Sequence, residues 1–337
     1  LSSASADFDV VIVGAGAAGL HCAGIAGQRG LRVLLIDHAE RLAEKIRISG
    51  GGHCNFTNRE VRAEHFISEN PQFCRSALAR YQPKDFLTLV AREGIAWHEK
   101  HKGQLFCDGS AEQIIRLLVN ACAAGGVLRW QPCTVLAVRQ TGNGFELETS
   151  RGTVRAAQLV VATGGLSIPK IGATDWGHRL AEQFGHPIVP TRPALVPLTF
   201  DGQAFSPFTA LSGLALPVRI RTGTKGHGAA FDEDLLFTHR GLSGPAVLQI
   251  SSYWQPGTPL TVDLTPGLKV GESLVALKHT SRRQLGNAMA EILPRRLAET
   301  WLDLRALPAQ RPLAECRDAD LSALGSSLQA WSLTPAG

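Results

Sequence analysis

The sequence predicts an α/β fold, with a dinucleotide-binding sheet in the first half and a β-rich, then helical, domain in the second. Three observations predict it. DVVIVGAGAAGLHCAGIAGQRGLRVLLID at 9–37 sets an apolar run, a glycine turn, a small-residue helix, a second apolar run and an acid in register. QLVVATGG at 158–165 is another buried-type strand entering another glycine turn. After Phe184, prolines at 187, 190, 193 and 197 break the pattern, and strand-like runs follow.

The first apolar run, 8–13, is short, rich in β-branched residues and closed by glycine, as expected of a strand buried on both faces. In the turn that follows, Gly14 permits a tight reversal into the helix, Gly16 lets backbone approach a diphosphate, and Gly19 lets the helix lie close to the sheet. Ala17 and Ala18 open a helix whose unpaired N–H groups favour an anion. Gly30 closes that helix, and Asp37, 18 residues after Gly19, ends the next strand where a carboxylate can accept from ribose hydroxyls. The alternative is a glycine-rich turn in an ordinary βαβ unit. Next come Lys45, Ser49, Gly50, Gly51, Gly52, Asn55, Thr57 and Asn58, a loop dense in exposed backbone N–H and short polar side chains. It suits an anion or a polar ring edge lying over a cofactor; a plain surface loop is the alternative.

Helices are expected over 71–80, over 83–93 with Pro83 at its start, and after Ser110, which with Gln113 reads as a capping box. Short strands are expected at 95–97, 104–106, 128–130, 134–139, 144–149 and 152–155, the last group forming a meander before the strand at 158–162. Thr163, Gly164 and Gly165 then bring backbone near the same sheet edge, an order found in flavin-binding two-dinucleotide proteins. Thr174 is a candidate N-cap for the helix that follows, and Ser243 for one in the second half. The domain boundary is expected near 186–192, with strand-like runs to about 264 suggesting a small barrel or sandwich and helices over 271–330.

With 44% hydrophobic and 19% charged residues, the composition is that of an ordinary globular protein. The net charge of +5 suits phosphate-bearing ligands without implying nucleic acid. No apolar run reaches the ~18–20 residues of a membrane span, and the N-terminal stretch has no signal-peptide pattern. Seven cysteines are scattered without a CxxC pair or metal spacing, which fits reduced thiols in the cytoplasm and no metal centre.

VIVGAGAAG at 11–19, KIRISGGGHCNFTN at 45–58, VVATGGLSIPKIGATDWG at 160–177 and LFTHRGLSGPAVLQIS at 236–251 resemble, in order and over nearly the whole chain, the HI0933-like (BaiN-like) flavoproteins, the group also labelled aminoacetone oxidase family FAD-binding enzymes. The resemblance implies a glutathione-reductase-type, Rossmann-like FAD domain with a β-meander over 1–188, an inserted domain over 189–337, and FAD as cofactor. It also implies cofactor contacts at Gly14, Gly16, Ala17, Ala18, Gly19, Asp37, Lys45, Ser49, Gly50, Gly51, Asn55, Thr163, Gly164 and Gly165. His53 stands where the family usually has Arg. Members of the family continue past 334–337 into a segment that returns to the FAD domain, so that part of the flavin-ring site is expected to be missing and a sheet edge left open.

A flavin ring performs its own electron transfer, so no triad is required and none is found. Asn55, Asn58, Cys54 and His239 are the candidate active-site groups. Their plainer readings are loop polar groups, a bystander thiol and a loop histidine. Arg282-Arg283 and Arg295-Arg296 read as solvated helix faces rather than an RNA patch. The expected function is an FAD-dependent oxidoreductase acting on a small molecule, with NAD(P)H or oxygen as redox partner and no nucleic acid. The alternatives are an RNA-associated flavoprotein of the tRNA-modifying kind, motivated by the basic balance, and a non-catalytic nucleotide-binding scaffold. The sequence does not specify an oligomeric state.

Overall fold

A strand with one polar side chain in six can satisfy its buried backbone only by pairing on both sides. The run Phe8–Val13 does so as β1, with Val11 and Ile12 fully buried. The computed structural model describes residues 7–223 and 228–337, and the chain divides into two compact units, Leu1–Val189 and Pro190–Gly337.

In the first unit β1 is followed by α1 (Ala17–Gln28), β2 (Val33–Ile36), α2 (Glu44–Ile48), β3 (Asn55–Asn58), α3 (Arg75–Arg80), α4 (Pro83–Arg92), β4 (Trp97–Glu99) and β5 (Gln104–Cys107). Then come α5 (Glu112–Ala124), β6 (Leu128–Trp130), β7 (Val135–Thr141), β8 (Gly144–Thr149), β9 (Gly152–Val161) and α6 (Trp176–Gln183). The main sheet runs β6-β2-β1-β9-β8-β7, and β3-β5-β4 form a small second sheet. β6, β2, β1 and β9 are parallel neighbours, whereas β7, β8 and β9 form an antiparallel meander. One face of the sheet is covered by α1 and α5 over Val10, Ile12, Leu20, Leu35, Ile115 and Leu118; the other buries Val11, Leu34, Val138 and Leu147 with Leu180 of α6.

Two expectations need correction here. The runs at 152–155 and 158–162 are one strand, β9, because its first half pairs antiparallel with β8 and its second half parallel with β1, so the chain never has to turn between them. Beyond Ala156 it is paired on the β1 side only among the described residues, and Val161 is 46% exposed at that open edge. Ser110 is not the cap of α5: the Ala111 N–H donates to the Gly52 carbonyl (2.7 Å), which holds Ala111 at the helix entrance, and only the Gln113 half of the box forms, accepting from the Ser110 N–H (3.2 Å).

The second unit contains β10 (Leu198–Thr199), α7 (Gly202–Phe205), β11 (Ala215–Thr222), β12 (Ala229–Thr238), β13 (Gly241–Ser243), α8 (Pro245–Ser251) and β14 (Leu260–Asp263). It finishes with α9 (Val270–Lys278), α10 (Leu285–Met289), α11 (Arg295–Leu304), α12 (Asp318–Gln329) and β15 (Trp331–Leu333). Its sheet order is β10-β13-β12-β11-β14-β15. The Thr199 N–H donates to the Gly337 carbonyl (2.7 Å) and the Thr199 carbonyl accepts from the Ala336 N–H (2.8 Å), so residues 336–337 lie alongside the first strand of this unit. Phe208, Phe237, Trp301 and Trp331 cluster in its core. Ser243 lies in β13 rather than capping α8; Gly244, at φ 87°, makes the left-handed step into the helix that a serine would strain to make.

α1 lies against the β1 turn at a distance only glycine allows. A Cβ on Gly19 would sit 1.7 Å from the Gly14 carbonyl oxygen. Gly19→Ala is therefore expected to destabilise the protein by about 1–3 kcal/mol, read as a lower urea midpoint with an unchanged m value. A midpoint equal to wild type would refute this close packing.

Candidate functional site

The three glycines of the first turn do different work. Gly14, at φ 107°, donates its N–H to the Ile36 carbonyl (2.7 Å), and a side chain there would strike the Ala162 carbonyl at 2.4 Å. Gly14 and Gly19 thus hold β1, α1 and the end of β9 together. At Gly16 no atom lies within 4 Å of an added Cβ, and no side chain caps the helix it precedes. The first-turn N–H groups of α1 therefore face open space with the partial positive charge of the helix end behind them.

Asp37 sits beside this turn, half-buried. Its carboxylate accepts from the Ala15 N–H (2.5 Å) and the Ala39 N–H (2.8 Å). Both oxygens are thereby fixed, and each keeps a lone pair for a ribose hydroxyl. A cleft of about 620 Å³ runs across the carboxyl edge of the sheet, bringing together Gly14, Gly16, Ala17, Ala18, Asp37, Lys45 and the Thr163-Gly164-Gly165 turn after β9. Gly164 has φ 74° and nothing lies within 4 Å of a Cβ at Gly164 or Gly165, so this turn presents bare backbone as well. Two glycine turns and one fixed carboxylate around an open cleft fit the adenosine diphosphate half of FAD.

Two further recesses adjoin this cleft. One of about 470 Å³ shares Gly14, Asp37, His38 and Thr163 with it, and continues along β7 to Trp176 and Arg179. Sequence reasoning missed these walls because they carry no motif; folding alone marks them, by leaving Leu136 of β7 61% exposed. The other, of about 420 Å³, shares Ala17, Ala18 and Lys45, contains the expected Ser49 and Asn55, and extends between His21, Phe56, Tyr81 and Phe86. His21 was also missed, although it lies one helical turn beyond Ala17. Its Nε2 is buried without a hydrogen-bond partner among the described residues, and burial lowers its pKa from the usual 6.5.

The remaining expected residues are placed less directly. Gly19 is buried beneath the loop. Gly50 is needed for packing, since a Cβ would meet the Phe106 ring at 2.6 Å, whereas Gly51 faces open space; both have left-handed φ. Asn55 is exposed, and the carbonyls of Thr57 and Leu105 face its side-chain amide, which donates to them (3.1 and 3.2 Å) with its oxygen and nitrogen exchanged. Asn58 braces a turn: its amide donates to the Lys102 carbonyl (2.9 Å) and its oxygen accepts from the Glu60 N–H (3.0 Å). Cys54 is buried at φ 53°, and burial raises its thiol pKa; burial, with Cys54 nearby, pushes Cys107 up to about 11. Neither is a thiolate at neutral pH. His53 is exposed and its Nδ1 pairs with the Cys107 carbonyl (3.2 Å). His239 belongs to the second unit, between β12 and β13. Among the described residues no three His, Cys, Asp or Glu side chains gather as a metal site, and no helix is long and apolar enough to cross a membrane.

The family described as HI0933-like protein Rossmann domain matches residues 8–310. The chain is 47% identical over 331 residues to a ribosomal RNA dihydrouridine synthase of Escherichia coli, covering 98% of this chain and 82% of that one. It is 43% identical over 333 residues to the protein of the same name in Haemophilus influenzae, covering 97% and 82%. Similarity to a 3-dehydro-bile acid delta(4,6)-reductase of Clostridium scindens is 25% over 324 residues, covering 91% and 78%. The first two names overturn the small-molecule reading and the expectation against a nucleic-acid partner, and favour the RNA-associated alternative. The sequence misled because a charge of +5 spread over 337 residues forms no basic run.

Gly16→Val would put an isopropyl group into open cleft without touching the fold. Flavin bound per chain, read by visible absorbance, is expected to fall about tenfold or more, with stability of the flavin-free protein within about 0.5 kcal/mol of wild type. Undiminished flavin would refute the diphosphate position. His21 gives a pH test. The folded state keeps it neutral while the unfolded chain protonates near 6.5, so stability present above 6.5 is lost as pH falls below it. His21→Leu should flatten that acid-side slope of the melting temperature; an identical slope would show that His21 titrates freely when folded.

Proposed function

This chain belongs to the HI0933-like family, and from that premise we propose that it is an FAD-dependent oxidoreductase that reduces uridine in ribosomal RNA to dihydrouridine, using a reduced nicotinamide as electron source. The observation that carries the reading is the near-full-length likeness to the two ribosomal RNA dihydrouridine synthases. The site is compatible with it. The first-turn N–H groups behind Gly16 would hold the diphosphate, Asp37 the adenosine ribose, and Thr163-Gly164-Gly165 the opposite side of the linkage. Bound FAD supplies two-electron transfer; the protein's part is binding, orientation and exclusion of water.

In the overall reaction the C5–C6 double bond of uracil gains one hydride and one proton, and the nicotinamide leaves oxidised. The chain carries no second GxGxxG turn, so the nicotinamide would enter the same cleft from the Lys45 side. Buried Cys54 and Cys107, with raised pKa values, are poor nucleophiles and leave the redox work to the flavin. A ribosomal substrate also accords with cytoplasmic residence and with the net positive charge, which steers a polyanion.

Incubating the flavin-loaded protein with ribosomal RNA and NADPH or NADH should add two hydrogens to a uridine, seen by mass spectrometry of the digested RNA. Unaltered RNA in the presence of nicotinamide-reduced flavin would overturn the reading. RNA affinity should fall about tenfold between ~50 and ~200 mM salt; salt-independent binding would count against phosphate recognition.

A further inference from the structure

The recess that begins at Lys45 and ends at His21 is unlike the nucleotide cleft it joins. Its floor is apolar, formed by Cys54, Ile114 and Leu118. Its sides are aromatic: the Tyr81 ring lies 5.1 Å from the His21 ring, and Phe86 lies 6.3 Å from His21 and 6.0 Å from Phe56. Within this apolar wall, covered from solvent beside the Tyr81 ring, is the one buried side-chain polar atom among the described residues without a partner, Nε2 of His21. A buried polar atom without a partner is costly, and it is explained if the partner is a ligand. Resting on the reading of this protein as an RNA-reducing flavoenzyme, we propose that the recess receives the target uracil, turned out of its stack, with Tyr81 as the ring it stacks against and His21 Nε2 as the group that reads its polar edge.

Several features favour a base over a purely apolar guest. An aromatic side wall offers a π face, which every nucleobase can use. A neutral imidazole nitrogen can meet either a carbonyl or the N–H on the uracil edge, but only one of them, which fixes orientation. Tyr81 is 39% exposed, so it stands at the mouth rather than in the floor. Arg80 and Lys84, close to it in the chain, are exposed and have no ion-pair partner among the described residues, leaving them available to phosphates beside an extruded nucleotide. The recess also shares Ala17, Ala18 and Lys45 with the cofactor cleft, so the two are continuous. Enzymes that act on a base within structured nucleic acid extrude it into a pocket of this kind.

The test is photocrosslinking of the full-length, flavin-loaded protein to a ribosomal RNA fragment carrying 4-thiouridine in place of uridine, with the attachment mapped by peptide mass spectrometry. Cross-links are expected at His21 or Tyr81. Tyr81→Ala and His21→Leu should each lower their yield about tenfold at unchanged flavin absorbance per chain, while Tyr81→Phe, which keeps the ring, should retain it. RNA that binds but cross-links only elsewhere would overturn the pocket and leave the RNA reading standing. Failure of the RNA to bind at all would overturn both. Loss of flavin from His21→Leu would show that the recess houses the cofactor ring instead of the base.

Discussion

The contact between the Gly14 carbonyl and the backbone of Gly19 is the constraint on which the first unit depends. It brings the first turn of α1 down onto the end of β1, while Gly14 itself leaves room for the Ala162 carbonyl at the end of β9. The turn that joins β1 to α1 thus meets the end of β9, far along the chain, backbone against backbone. Because packed interiors tolerate little overlap, a methyl group at either glycine would force the helix outward. The helix start would then no longer face the space between the two glycine turns. The cleft is therefore a by-product of packing: backbone comes close because nothing else fits, and its N–H groups are left without internal partners.

Asp37 extends the same arrangement. An uncommitted carboxylate at a strand end would turn into solvent. Here hydrogen bonds from Ala15 and Ala39 hold it against the glycine turn, at a place where the partial charge of the helix end also favours an anion. One acid thus stiffens the turn and offers its remaining lone pairs to a sugar. The loop formed by Ser49, Gly50, Gly51 and Gly52 obeys a different rule. Its three glycines all adopt left-handed φ, so the loop coils tightly enough to bury Cys54 and to set Asn55 at the start of β3.

What could be read from the sequence follows from this physics. Gly14 and Gly19 were legible because each answers to a backbone requirement that few other residues meet, and Gly16 and Asp37 because they stand at the fixed spacing that goes with such a turn. The parallel strands β1 and β2 and the second half of β9 were legible as apolar runs. The continuity of β9 was not, since the change from antiparallel to parallel partner leaves no mark at Ala156-Ala157. The caps of α5 and α8 were misread for a related reason: Ser110 and Ser243 are good caps locally, but the Gly52 carbonyl and the left-handed Gly244 decide where those helices begin. Asn58 looked like a ligand contact and is spent on a turn with Lys102, a partner 44 residues away.

The substrate was harder to read than the cofactor, and the two recognition problems differ in kind. A diphosphate is held by main chain, so its binding site compresses into short glycine-marked segments. A base would be held by side chains, here His21 from α1, Phe56 from β3, Tyr81 just beyond α3 and Phe86 from α4. Those residues share no spacing, and each alone passes for an ordinary core or surface residue. Only folding makes them neighbours, and only then does the unsatisfied nitrogen of His21 stand out among the described residues. Likeness over nearly the whole chain to proteins named for RNA work is information of another kind than local motifs carry, because it is not confined to the glycine-marked segments.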